Sequence, residues 1–269
     1  MAIPAPGDNN DWLQRVVVMR HGDRIDQFND LWTRRAERPW DPPLATDGLQ
    51  RAWSTGRKLR RIGFPITRAV VSPFTRCLQT ASEAVSALCA VVNDELDLLT
   101  VETSKGVRIN PCKVKMSIEY GLCEVFNELA MSGYRPKSTE SWFPNISDLQ
   151  DSLPKGTIDH DYDRLLDEMP QFGETVEEAR IRYNNIIQAI ANMHPRENIL
   201  LVTHGEAVGA SVTFVERDSE VFEVDYCGYT VLERQVSMGP TGEAVPGEFK
   251  VVSKNGTDGV QWAVLSENA

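Results

Sequence analysis

Two runs of four apolar residues, 16–19 in "VVVMRHG" and 199–202 in "ILLVTHG", each lead through one polar residue to a His-Gly pair. An unbroken apolar run of this length has no solvent-facing residue, so it fits a strand covered on both faces of a sheet. If the two strands lie parallel in one sheet, both His-Gly turns leave by its carboxyl edge, where open α/β sheets bind ligands. His21 and His204, two of only four histidines, would then meet from distant parts of the chain. Glycine after each histidine removes a Cβ where the backbone turns sharply or a ligand approaches.

The segments around these strands supply the covering layers. After a cap at Thr46 or Asp47, the residues Leu49, Ala52, Trp53, Gly56 and Leu59 fall on one helical face. "RAVVSP" reads as a second strand, and its Ser72-Pro73 pair as the cap and first residue of a helix burying Cys77, Leu78, Ala81, Val85 and Leu88. From Glu174 the helical period returns in Val176, Ala179, Tyr183, Ile186, Ile187 and Ile190, until "MHPREN" breaks it. "VFEVDY", "GYTVLERQV" and "EFKVVSK" complete the pattern as β segments. Strands alternating with amphipathic helices imply a three-layer α/β/α sandwich with a largely parallel central sheet. We expect one domain over residues 1–269 with an insertion around 94–172, in which "LDLLTVE" is a strand or edge and short helices cover 146–152 and 162–168.

A formal charge of −11 argues against nucleic acid or an anionic membrane as partner, while leaving room for a focused cationic pocket. The five cysteines form no C-x-x-C pair, so neither a disulfide framework nor a zinc site is expected. With no basic-then-apolar leader and no apolar run near the roughly 18 residues of a membrane span, the expected location is the cytoplasm. Nothing in the pattern sets an oligomeric state.

Arg76 would sit in the first turn of its helix, where the macrodipole favours acids rather than bases. That placement makes sense if helix terminus and guanidinium both face an anion at the carboxyl edge. Arg20, Arg24 and Arg76 could surround a phosphate, each charge pair contributing about 4 kcal/mol at roughly 4 Å and an effective dielectric near 20, before desolvation. The same cations would hold His21 neutral and nucleophilic, so attack on phosphorus would yield a phosphohistidine without a metal. The leaving oxygen needs a proton from a carboxylic acid kept protonated until use, and "SIEYGLCEVFNEL" offers Glu119, Glu124 and Glu128. His160 and His194 suit exposed or helix-end positions. Trp32, Trp40 and Phe143 suit packing, although the loop 27–43 leaves the same edge as His21 and would help shape the leaving-group pocket.

The motifs "VMRHGDR", "PPLATDGLQRA", "VVSPFTRCLQTA", "IEYGLCEV" and "LLVTHGE" resemble those of the histidine phosphatase, or phosphoglycerate mutase-like, superfamily over nearly the whole chain. They are most similar to the branch containing suppressor of T-cell receptor signalling phosphatase domains and ecdysteroid-phosphate phosphatase. Asp23 stands where that branch has Glu, and "VFNELAMSGYRPKSTESW" departs from it. The resemblance implies His21 as nucleophile, Arg20, Arg24 and Arg76 as phosphate ligands, Glu124 as acid/base, and His204 completing the pocket. It implies a phosphomonoesterase for a small molecule or phosphoprotein, needing no cofactor. The alternatives are a mutase or sugar bisphosphatase, whose acid would lie in a differently spaced Glu-Arg context, and a low-activity phospholigand-binding or scaffold domain.

Overall fold

The computed structural model describes residues 11–137 and 141–265. Its first half runs β1 (Trp12–Arg20), α1 (Trp32–Arg35), α2 (Thr46–Arg60), β2 (Arg68–Val71), α3 (Thr75–Cys89), β3 (Lys115–Ile118) and α4 (Ile146–Gln150). The second half runs α5 (Val176–Met193), β4 (Ile199–Thr203), α6 (Gly205–Val215), β5 (Ser219–Val224), β6 (Tyr229–Met238), β7 (Ala244–Pro246), β8 (Lys250–Val251) and β9 (Val260–Val264).

The central sheet has the order β3-β2-β4-β1-β6-β7, with β8 also on β6. β3, β2, β4 and β1 are mutually parallel, and β6 runs antiparallel to β1. The two apolar runs pair directly, from Val16 opposite Ile199 to Arg20 opposite Thr203. His21 N–H then donates to Thr203 O at 2.9 Å, so the two histidines leave adjacent strands at the same level.

Side-chain alternation divides the core. Val17, Met19, Leu200 and Val202 face Leu59 of α2 and Cys77, Leu78 and Ala81 of α3. Val16, Val18, Ile199 and Leu201 face Tyr183 and Ile187 of α5 and Ala207 and Val208 of α6. Each fully buried aliphatic side chain contributes about 1.5–3 kcal/mol, and stacking both faces makes the strands a stiff mount for the turns at their ends. β5 and β9 form a separate two-stranded ribbon. No helix among the described residues is long and apolar enough to cross a membrane.

Several local expectations are corrected. α2 begins at Thr46 with Ala45 as N-cap and no side-chain cap. α3 begins at Thr75, and Ser72 does not cap it, because the carboxylate of Asp41 reaches across to accept from Thr75 N and Oγ1 at 2.7 and 2.6 Å. "LDLLTVE" contains a 3-10 helix at Glu95–Thr100, opened by the Asp94 side chain accepting from Leu96 N, an Asx turn that outcompetes strand pairing. The stretch 162–168 is not helical. There Tyr162 Oη and the N–H groups of Leu165 and Leu166 all bind the Glu119 carboxylate, which fixes an irregular course. The segment 94–172 also contributes β3 to the sheet edge beside β2. β7 and β9 are two further strands that short, polar-flanked runs concealed.

Candidate active site

His21 follows β1 and is 2% exposed. Its Nδ1 lies 2.8 Å from Gly22 O; a carbonyl only accepts, so Nδ1 carries the hydrogen and the lone pair is on Nε2. Burial lowers its pKa well below the usual histidine value, followed by Arg76, by His204 whenever that ring is protonated, and by Arg20, so the ring is neutral. The turn behind it is fastened on three sides. Gly22 N donates to Thr80 Oγ1 at 2.9 Å, Cys227 N donates to His21 O at 3.1 Å, and Gly22 packs against the backbone of Gly48. A Cβ on Gly22 would lie 2.7 Å from Gly48 O, and this close approach of turn to helix is why glycine follows the histidine.

His204 ends the adjacent strand and N-caps α6, with its ring centroid 5.4 Å from that of His21. Both of its nitrogens are engaged: Nδ1 lies 3.1 Å from Glu124 Oε2, and Nε2 lies 2.9 Å from Ser72 Oγ. Burial pushes its pKa down to about 4, against the pull of Glu124. In the neutral ring Nδ1–H donates to the carboxylate and Nε2 accepts from the serine hydroxyl. Burial alone would raise Glu124, but His204, Arg76 and His21 outweigh it and hold the carboxyl well below its ordinary range. Glu124 is therefore a carboxylate, contrary to the expectation of a standing carboxylic acid.

Arg76 is 2% exposed, on the first turn of α3 as expected. Its Nη2 lies 3.5 Å from Glu124 Oε2 and 3.3 Å from His204 Nδ1, and its plane covers the Phe74 ring at 4.2 Å. Nε and Nη1 are buried without a partner. Unpaired buried guanidinium donors are costly, and here they converge with a neutral histidine and a carboxylate on one edge.

The other predicted residues divide. Arg20 donates from Nη1 to Val224 O at 2.5 Å and lies 4.1 Å above the Tyr226 ring, with Nε buried and unpaired. Arg24 forms a two-point pair with Asp26, at 3.0 and 2.5 Å, so a phosphate must compete with that carboxylate for it. Glu119 is fully buried and bound by four donors, while Glu128 is exposed; of the three candidate acids only Glu124 meets the histidines. Trp40 is core, its Nε1 donating to Trp142 O at 3.1 Å.

Sequence reasoning missed Tyr226, whose ring is 5.7 Å from that of His21, and the groups that hold the Glu124 loop. Arg182 donates to the carbonyls of Gly121, Cys123 and Glu124 at 2.7, 3.3 and 3.3 Å and pairs with Glu174. Glu174 accepts from Phe126 N at 2.7 Å, Tyr183 Oη donates to Cys123 O at 2.7 Å, and Thr203 Oγ1 donates to Leu122 O at 2.7 Å. The loop carrying Glu124 is thus tied to α5 and β4 through its backbone. "GETVEEARIRY", in which Glu174 and Arg182 share a helix start, was the available signal.

His21, Glu124 and His204 are also the trio whose ligand atoms lie within 4.8 Å of one another, close enough for a metal ion among the described residues. The two unpaired donors of Arg76 beside them fit an anion better than a cation.

The sequence profile of the histidine phosphatase superfamily (branch 1) matches residues 16–99 and 144–238. An uncharacterised phosphoglycerate mutase family protein of Acanthamoeba polyphaga mimivirus is 34% identical over 73 residues, covering 26% of this chain and 36% of that relative. Among solved structures, the ecdysone phosphate phosphatase of Bombix mori, in complex with tungstate, superposes with a TM-score of 0.57 at 21% identity, covering 90% of this chain and 92% of that one. A phosphoglycerate mutase from Bacillus anthracis gives 0.51 at 18% identity, covering 91% and 94%.

Proposed function

This chain belongs to the histidine phosphatase superfamily, and from that premise we propose that it hydrolyses a phosphomonoester through a phosphohistidine on His21. The observation that carries the proposal is the meeting of a neutral His21 with its Nε2 lone pair free and Arg76 with two buried donors unpaired. A phosphoryl group fits between them. The guanidinium spreads the equatorial oxygen charge while the imidazole attacks in line, which is electrostatic and positional catalysis with little other covalent demand on the protein.

His21 Nε2 forms a P–N bond as the ester P–O bond breaks, and the leaving oxygen takes a proton from Glu124. Water then attacks phosphorus, Glu124 accepts its proton, the P–N bond breaks, and inorganic phosphate leaves. The carboxylate state of Glu124 suits the second half. The phosphate dianion entering beside Arg76 and His204 offsets the charges that depress Glu124, so substrate binding draws in the proton that the first half spends. His204 donates to Glu124 and is itself aimed by Ser72. Arg20 and Arg24 complete the phosphate shell, Arg24 after release from Asp26.

No metal is required because Arg76 supplies the charge. The test is phosphate release from p-nitrophenyl phosphate with chelator present. Wild type turns over without metal, and Arg76→Ala loses about 10²–10³ in kcat. Return of the phosphoryl group to an added sugar phosphate in preference to water would replace the proposal with a mutase.

A further inference from the structure

Another buried arginine with an unpartnered donor lies far from the catalytic edge. Arg234, on β6, is 5% exposed and stands opposite Gln14 near the start of β1. His21 lies seven residues beyond Gln14 along the strand direction, so about 23 Å separates this site from His21. Arg234 Nε donates to Gln14 Oε1 at 2.8 Å, and its Cζ lies 4.6 Å from the Phe249 ring centroid. Nη2 is buried with no partner.

A structural role leaves that atom unexplained. Gln14 already uses its amide nitrogen on the carbonyls of Ala191, His194 and Glu197, and a neutral donor would satisfy its oxygen as well as an arginine. No carboxylate among the described residues pairs with Arg234. Burial pushes its pKa down to about 10 with nothing opposing it. A buried charge without a counter-ion is among the costlier features a fold can keep.

Arg234 lines a cavity of about 470 Å³, a size suited to a small organic ligand. Arg217, which pairs with no carboxylate among the described residues, adds a second cation, Phe214 and Phe249 supply apolar walls, and Gln188 of α5 an amide. Glu248, exposed, also lines it and pairs with no cation among the described residues.

We infer that this cavity is a second anion site, taking a small molecule whose phosphate or carboxylate head binds Arg234 and Arg217 and whose apolar body covers Phe214 and Phe249. The head supplies the missing counter-charge, and the ring of Phe249, already under the guanidinium, extends to the ligand body. The site is independent of the catalytic reading.

Calorimetric titration with benzylphosphonate, which cannot be hydrolysed, tests both sites at once. Wild type takes up two equivalents; Arg76→Ala loses one, and Arg234→Met loses the other. Arg217→Ala, an exposed substitution that leaves the fold intact, weakens only the Arg234-dependent event. Glu248→Gln tightens it about threefold by removing a like charge. Titration with phenylacetate distinguishes the heads: an Arg234-dependent event there and not with the phosphonate assigns a carboxylate ligand. Two events surviving in Arg76→Ala, with one lost in Arg234→Met, would sink the catalytic phosphate site and keep this one. A single event in wild type that vanishes in Arg76→Ala, with phenylacetate silent, overturns the second site, as does indifference of every event to Arg217→Ala and Glu248→Gln.

Discussion

The two His-Gly turns look alike in sequence and sit side by side in the fold, yet their surroundings give them opposite chemistry. His21 spends Nδ1 on its own turn, leaving Nε2 without a hydrogen-bond partner among the described residues. His204 spends both nitrogens, one on Glu124 and one on Ser72. In the proposed mechanism the first attacks and the second holds and aims. A histidine's role is thus set by which of its nitrogens the neighbours leave unoccupied, not by the motif around it.

The largest expected effect breaks that asymmetry directly. His21→Ala abolishes aryl phosphate turnover, a loss of at least about 10⁴ in kcat, whereas His204→Ala retains slow turnover with a loss of about 10²–10³. Steady-state kinetics of both variants checks this; equal residual rates contradict it.

Next comes the proton. Glu124→Gln costs about 10²–10³ in kcat on an alkyl phosphate but far less on p-nitrophenyl phosphate, whose leaving group needs no acid. Arg182→Gln repeats the pattern more weakly, and adding it to Glu124→Gln causes no further loss on the alkyl substrate, because it acts by holding that loop. Additive losses would make Arg182 a purely structural residue. The same carboxyl predicts the pH dependence. Its pKa is depressed in the free enzyme, so the protonated form grows as pH falls, while His21, also depressed, stays neutral further into acid. For alkyl phosphates kcat/KM therefore rises between about pH 8 and about pH 5, and for p-nitrophenyl phosphate it stays flatter.

The smallest effects concern the glycines. A Cβ on Gly205 meets only the Arg20 side chain, at 3.4 Å, whereas on Gly22 it meets backbone at 2.7 Å. Gly22→Ala should cost about 1–3 kcal/mol in thermal unfolding and Gly205→Ala under about 1. Equal shifts would mean that the two turns are packed alike.

Much of this was legible because it was local or periodic. The apolar runs 16–19 and 199–202 announced doubly covered strands, and the faces of α2, α3 and α5 followed from helical spacing. Arg76 was found through its conflict with the helix dipole. What escaped depended on distant partners. Asp41 caps α3 from another loop, Glu119 is consumed as a staple, and Arg182 grips backbone carbonyls some sixty residues away. The depressed carboxyl of Glu124 was also hidden, because charge coupling among His21, Arg76 and His204 exists only once the strands pair.

Phosphoenzyme trapping tests the central claim most directly. After brief exposure to labelled substrate and an alkaline quench, wild type and His204→Ala should carry acid-labile, base-stable label in the peptide containing His21, and His21→Ala should carry none. Label persisting in His21→Ala, or found on the peptide containing His204, would contradict the division of roles between the two turns.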